Sequence, residues 1–225
     1  FYAIGGGYKQ ISGLGADRLG NYLSKFGFGS KTNIDIPGET AGLVPTPDWK
    51  QKTKKESWYI GDTYNLAIGQ GDLLITPLQL TRATASIANG GKLLQPRVVK
   101  SFFGYILGQQ DLPTKIIKDK LVNSQAVSTV AEGMRQAVLT GSARSFAELS
   151  VTVAAKTGTA QFDKAKEKTQ SWFTAYAPFD SPEIAVSVIV EGGGEGYAVA
   201  APVAKNMIEE FFRLPLTAIN PSPEN

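Results

Sequence analysis

The feature that most constrains the fold is a change of hydrophobic period along the chain. In its last third, three short runs, Val151–Ala155, Ser171–Ala177 and Ile184–Val190, are rich in β-branched and aromatic residues and are separated by charged or Pro-containing connections. Such runs read as a three-strand antiparallel meander. Before them the apolar residues recur at helical spacing. Leu19, Tyr22, Leu23 and Phe26 fall at i, i+3, i+4, i+7 and form one stripe, which Gly27 ends. Thr76 followed by Pro77 and, three residues on, by Gln79 predicts a capped helix start. Leu80, Ala83, Thr84 and Ile87 continue its buried face, and Asn89-Gly90-Gly91 ends it. A third helix is predicted from Ser124 as cap through Val127, Val130, Ala131, Met134 and Val138 to Gly141. A closing helix over Val199–Phe212 carries Val203, Met207, Ile208 and Phe211 on one face. Helices first and a meander later predict an α+β domain, an antiparallel sheet packed with helices.

The connections are less sharply written. Thr32–Trp49, rich in Pro and Gly, is expected to be a long, mostly irregular segment, and Gln95–Val122 to hold one or two strands. The densest basic run, Lys50–Lys55, reads as a solvated loop. The tail Leu214–Asn225, with three prolines, is expected to be disordered.

Composition bears on chemistry more than on fold. The 225 residues contain no cysteine and no histidine. Thiol catalysis, disulfides, Ser-His-Asp machinery and the commonest metal ligand are therefore excluded, and catalysis would have to use Lys, Ser, Thr, Tyr, Asp or Glu. A net charge of +3 is modest and does not imply nucleic acid. No apolar run approaches the roughly eighteen residues of a membrane span. The chain opens abruptly at Phe1-Tyr2-Ala3-Ile4, without an initiator Met or a signal-peptide pattern, and reads as a piece of something longer.

Val151-Thr152-Val153-Ala154-Ala155-Lys156-Thr157-Gly158-Thr159-Ala160-Gln161 puts a lysine, two hydroxyls and a glycine at the end of a strand. A Lys-Thr-Gly tripeptide alone fits an ordinary strand end with a bulge. The longer run offers more: a fixed positive charge, hydroxyl donors and backbone N–H groups on one strand, parts suited to holding an anion and to stabilising negative charge that develops on an oxygen. Lys156 can supply the charge, Thr157 and Thr159 the hydroxyls, and the Thr159 N–H the oxyanion donor. Gly158 lets a substrate lie close to the strand edge. Strict pleating, however, points Lys156 and Thr157 to opposite faces, so the cleft has to be reached over the edge of this strand.

The extended run Lys156-Thr157-Gly158-Thr159-Ala160-Gln161, followed by Ser171-Trp172-Phe173-Thr174-Ala175-Tyr176-Ala177-Pro178, resembles the third motif of the serine penicillin-binding proteins and β-lactamases. The resemblance covers almost the whole chain. Phe26-Gly27-Phe28-Gly29, Ile34-Asp35-Ile36-Pro37-Gly38-Glu39, Gly42-Leu43-Val44-Pro45 and Trp49-Lys50 look like the segment that follows the second motif in the elongation-type penicillin-binding protein 2 family. Trp58-Tyr59-Ile60-Gly61-Asp62-Thr63, Asn65, Ala67-Ile68-Gly69-Gln70-Gly71, Thr76-Pro77-Leu78-Gln79-Leu80 and Ile87-Ala88-Asn89-Gly90-Gly91 match its most specific stretch.

The resemblance implies a penicillin-binding transpeptidase or serine β-lactamase-like fold whose N-terminal part is missing here, with residues 1–213 as the C-terminal part of the domain. It implies Lys156, Thr157, Gly158 and Thr159 as catalytic residues and Thr157 and Thr159 as substrate-binding ones. The implied reaction is two-step acyl transfer on the D-Ala-D-Ala end of peptidoglycan stem peptides, a step that β-lactams would mimic, with no cofactor. The implied partners are those stem peptides, β-lactams, a membrane glycan polymerase and the elongation machinery. The implied location is the extracytoplasmic face of the bacterial membrane, with an anchoring helix outside this chain. The family places its nucleophile in a Ser-x-x-Lys motif and an auxiliary residue in Ser-x-Asn or Ser-x-Asp, and no serine here stands in either pattern. Isolated, the chain is therefore expected to be inactive. The zinc that some relatives hold through His and Cys has no such ligands here.

Three other readings compete. A division-type transpeptidase or a β-lactam hydrolase or sensor is disfavoured by the stretch from Gly61 to Leu80, and a non-catalytic binding module requires that the gene begin near Phe1. A nucleotide-binding reading of Gly192-Gly193-Gly194-Glu195-Gly196 fails, because Tyr197 stands where the fingerprint needs its last glycine.

Overall fold

The computed structural model describes residues 1–105, 108–163 and 168–213. The expectation for Leu214–Asn225 lies outside them. Five helices come first: α1 (Tyr2–Gly6), α2 (Gly15–Lys25), α3 (Pro47–Lys54), α4 (Ile60–Ala67) and α5 (Pro77–Ala88). Four short strands follow: β1 (Leu93–Leu94), β2 (Ser101–Gly104), β3 (Gly108–Asp111) and β4 (Ile116–Lys118). Then come α6 (Ser124–Leu139), β5 (Ala154–Asp163), β6 (Lys168–Ala177), β7 (Ile184–Val190) and α7 (Ala200–Arg213). The predicted meander is present as an antiparallel sheet in the order β5-β6-β7, in which β5 is an edge strand, but its first strand is displaced from the expected Val151–Ala155: it starts at Ala154 and runs on to Asp163, because pairing with β6 takes in the lysine motif. The region expected to hold one or two strands, Gln95–Val122, holds three among the described residues: β2 and β3 pair with each other, and β4 pairs with β1, just before it, both antiparallel.

Pleating gives the main sheet two differently dressed faces. Ala155, Phe173, Ala175, Val186 and Val188 look one way and form a core with Val138, Phe146, Ala200, Ala204 and Ile208, covered by α7. The rings of Phe146 and Phe173 stack there at 4.8 Å. On the other face Ala154 and Tyr176 pack with Met134, Ile87 and Ala88, from α6 and α5. This second face is partly polar: the Thr174 hydroxyl lies 2.7 Å from that of Thr84 on α5 and 2.8 Å from that of Ser187 on β7.

The start of α5 has the predicted capping box. Thr76 Oγ1 accepts the Gln79 N–H at 3.1 Å, and Gln79 Oε1 accepts the Thr76 N–H at 2.9 Å. Gln79 does more than cap. Its side chain is fully buried, and Nε2 donates to the carbonyls of Ser30 at 2.8 Å and Ala41 at 2.7 Å, tying down the Pro- and Gly-rich segment beneath it.

Three further expectations are corrected. Lys50–Lys55 is not a solvated loop: most of it lies in α3, and the Lys50 side chain is buried and bonded to Asp62. The cause was legible, since Thr46-Pro47 repeats the Thr-Pro start of α5, and Thr46 Oγ1 accepts the Trp49 N–H at 3.1 Å. The cap of α6 is Asn123 rather than Ser124, because the Asn123 carboxamide oxygen reaches the Ala126 N–H at 2.7 Å. In α7 the buried face is Ala200, Ala201, Ala204 and Ile208, while Val203 and Met207 are 44% and 47% exposed. Small residues let this helix lie close on the sheet around Ile208, so Val203 and Met207 are left at the rim.

Candidate functional site

Lys156, Thr157, Gly158 and Thr159 lie consecutively on β5, paired with Thr174, Phe173, Trp172 and Ser171 of β6. Cross-strand partners share a face, so Lys156 stands on the α5 face with Thr174, whereas Thr157 and Thr159 stand on the α7 face with Phe173 and Ser171. The separation expected from pleating is thus present: the ammonium and the two hydroxyls straddle the strand rather than share a face.

What unites them is the backbone edge. The carbonyl of Thr157 accepts the Lys156 ammonium, and that of Thr159 accepts Gln70 Nε2 at 3.3 Å. Neither is therefore directed at β6. A residue's N–H and C=O point to the same side of a strand, so the N–H groups of Thr157 and Thr159 also face the unpaired edge. An edge N–H beside an ammonium is an arrangement that can stabilise negative charge developing on an oxygen. Partial burial lowers the Lys156 ammonium below its ordinary pKa of 10.5, because desolvation disfavours the charged form.

Both hydroxyls already have partners. Thr157 Oγ1 lies 2.7 Å from Ser142 Oγ, on the turn after α6. Thr159 Oγ1 donates to Glu195 Oε2 at 2.8 Å and accepts the Gly196 N–H at 3.3 Å. The segment carrying Glu195 is pinned from beneath. Buried Ser171 Oγ donates to the Glu195 carbonyl at 3.0 Å and accepts the Ala200 N–H, also at 3.0 Å, which fastens the entry to α7 onto β6. Gly196 has to be glycine, since a Cβ there would stand 2.4 Å from the carbonyl oxygens of both Gly158 and Trp172.

Gln70, Ser142 and Glu195 are residues that sequence reasoning did not assign. Gln70 lay in plain view between two glycines, with φ of +74° at Gly69 and +78° at Gly71, an arrangement typical of a tight turn that aims one side chain. Glu195 was visible only inside a glycine run. No sequence pattern marks Ser142. Among the described residues no group of three or more acidic side chains is placed to hold a metal ion, and no helix is long and apolar enough to cross a membrane.

Residues 8–209 match the family model described as penicillin binding protein transpeptidase domain. Over 226 aligned residues, the chain is 37% identical to the peptidoglycan D,D-transpeptidase MrdA of Haemophilus influenzae, covering 92% of this chain and 35% of that protein. The chain thus spans about a third of the length of the curated relatives it matches. Among solved structures, penicillin-binding protein 2 of Pseudomonas aeruginosa in complex with WCK 5153 superimposes with a TM-score of 0.76 at 38% identity, covering 88% of this chain and 44% of that one. Penicillin-binding protein 2 of Helicobacter pylori, in its complex with MreC, does so with a TM-score of 0.74 at 32% identity, covering 95% and 38%. With a family model spanning nearly all of its described residues, and with a lysine, a glycine and two threonines set along the free edge of an antiparallel sheet, the chain belongs to the penicillin-binding protein transpeptidase domain family.

Proposed function

We propose that this chain supplies one wall of the active site of an elongation-type D,D-transpeptidase, and that the longer protein cross-links peptidoglycan through a serine acyl-enzyme. In this reading residues 1–213 are the C-terminal part of the transpeptidase domain, and the nucleophile comes from a Ser-x-x-Lys upstream. The observation that carries it is the edge geometry of β5: a lysine on one side of the strand, two threonines on the other, and the Thr159 N–H free along the edge. Lys156 supplies a positive charge for an anionic substrate and holds the auxiliary serine. The Thr159 N–H donates to the oxyanion of the tetrahedral intermediate, and the hydroxyls of Thr157 and Thr159 bind a substrate carboxylate. Gly158 lets the stem peptide run close beside the strand. The serine would attack the carbonyl of the penultimate D-Ala, the terminal D-Ala would leave as an amine, and an amine of a neighbouring stem would then take the acyl group. β-Lactams would stop the sequence at the acyl-enzyme.

By similarity to relatives solved with MreC or within a peptidoglycan synthase complex, the partners would be the polymerising and scaffolding proteins of cell elongation, at the extracytoplasmic face of the membrane. The test is labelling by a fluorescent penicillin. The full gene product should give a stable adduct, and this chain alone should give none by intact mass, since it contains no Ser-x-x-Lys. An adduct on the isolated chain, or none on a full product that carries the motif, would reject the reading.

A further inference from the structure

The Thr159 hydroxyl has one proton, and in this structure that proton goes to a carboxylate of the chain itself. Glu195 Oε2 lies 2.8 Å from Thr159 Oγ1, and the Gly196 N–H occupies the hydroxyl from the acceptor side at 3.3 Å. An incoming carboxylate needs that same proton, because an ionised carboxylate can only accept. We propose that Glu195 is a specificity-determining residue of the Thr159 subsite: its carboxylate stands in for the substrate's and must be displaced before an anionic substrate can bind. The inference rests on the reading of Thr159 as the carboxylate-binding residue.

The surroundings determine what has to move. The backbone at Glu195 and Gly196 is held by Ser171, by the Thr159 contact and by the close approach of Gly196 to Gly158 and Trp172. The segment cannot lift without breaking these together. The Glu195 side chain, by contrast, is exposed and can rotate into solvent on its own. Displacement is therefore a single rotamer change rather than the opening of a lid, and exposed rotamers exchange in picoseconds to nanoseconds. It should weaken binding without adding a slow step. Two effects then act against an anionic substrate, the competition for one hydroxyl proton and the repulsion between like charges. A neutral analogue meets neither.

The experiment is acylation of the full gene product by benzylpenicillin and by its C3 carboxamide, for the wild type, Glu195→Gln and Glu195→Ala. Removing the charge should raise the second-order acylation rate with benzylpenicillin roughly threefold to fivefold, the size expected of an exposed charged contact, and leave the carboxamide rate unchanged. Glu195→Ala should match or exceed Glu195→Gln, because the glutamine can still accept the Thr159 proton through its amide oxygen. As salt is raised, the acid-to-amide rate ratio of the wild type should climb relative to that of Glu195→Gln, in which the attraction to Lys156 is screened with no repulsion to offset it. Unchanged ratios in both variants, or a fall in the benzylpenicillin rate, would overturn the inference while leaving the transpeptidase reading intact. Failure of the wild type to be acylated by either compound would remove that reading and the inference with it.

Discussion

The ammonium of Lys50 on α3 lies 2.8 Å from Asp62 Oδ2 on α4, and the same carboxylate oxygen accepts the Tyr59 N–H at 2.7 Å. Burial alone would raise the Asp62 pKa, but the Lys50 hydrogen bond, the Tyr59 N–H and the nearby charges of Lys50 and Lys54 outweigh it and hold the carboxyl below its ordinary 3.8. Glu39 is likewise lowered from 4.5: its desolvation is overcome by hydrogen bonds from Thr32 and Asn33 and by the charge of Arg82. A carboxylate whose folded pKa is depressed contributes stability that is complete above its unfolded pKa and is lost as pH falls through the folded value. Denaturant midpoints should therefore be flat above about pH 5 and fall steadily below about pH 4. Asp62→Asn should lower the plateau and make the acid slope shallower. An identical slope in the variant would mean that Asp62 titrates alike in both states.

Gln79 should be among the least replaceable residues of the helical part. Gln79→Ala would leave the carbonyls of Ser30 and Ala41 and the N–H of Thr76 without their partner in a buried setting, at a cost of about 3 kcal/mol. Gln79→Glu, nearly the same shape, would remove both donors and add a buried charge, and should be at least as damaging. Urea unfolding of the three proteins measures the loss, and a change below about 1 kcal/mol for both variants would mean that the amide does not fasten this segment.

Gly196→Ala should destabilise the chain by about 1 to 3 kcal/mol, because the clash is with backbone oxygens that cannot rotate aside. The same substitution should disturb the Thr159 contact, so its effect should be visible in the amide resonances of Gly158 and Thr159 as well as in the melting temperature. A shift in melting temperature with those resonances unmoved would place the strain elsewhere.

Lys156 and Thr159 should separate by substrate and by pH in the full gene product. Lys156→Ala should slow acylation by at least about a hundredfold with a carboxylate substrate, the scale on which loss of a transition-state charge partner acts, and by less with the amide, which does not use the charge attraction. Thr159→Ala keeps the backbone N–H and loses only the hydroxyl. Its deficit with a carboxylate substrate should be about tenfold, near the lower end for a hydrogen bond to a charged group, and should shrink with the amide. Because desolvation lowers the Lys156 pKa, the ammonium is lost as pH rises through a value below 10.5, and acylation should fall on that alkaline limb. Lys156→Arg, which stays protonated, should move the limb to higher pH. A limb that stays put would assign it to another group.

Much of this was legible in one sequence. The meander, α5 and its cap, and the placing of Lys156 to Thr159 on an edge strand followed from local chemistry, namely β-branched runs and a Thr-Pro-x-Gln start, but the lysine motif opens its strand rather than ending it, because pairing with β6 carries β5 on to Asp163. What escaped was decided by contacts between distant segments. Nothing local says that Lys50 turns inward, because its partner Asp62 lies twelve residues away on another helix. The Gln70 contact with Thr159 spans 89 residues and that of Thr159 with Glu195 spans 36. Hydrophobic bulk points to the wrong face of α7, because close packing on the sheet favours alanine there.

The free edge of β5 carries a consequence for solvent exchange. The strand's amides alternate in direction: those of Lys156 and Gly158 point at β6, and those of Thr157 and Thr159 point away from the sheet. Neighbouring residues on one regular strand should then lose deuterium protection at very different rates, slow at Lys156 and Gly158 and fast at Thr157 and Thr159. A molecule that seats its own carbonyls along that edge would erase the alternation. The two fast amides thus form a built-in reporter of occupancy, readable residue by residue and independent of any covalent step.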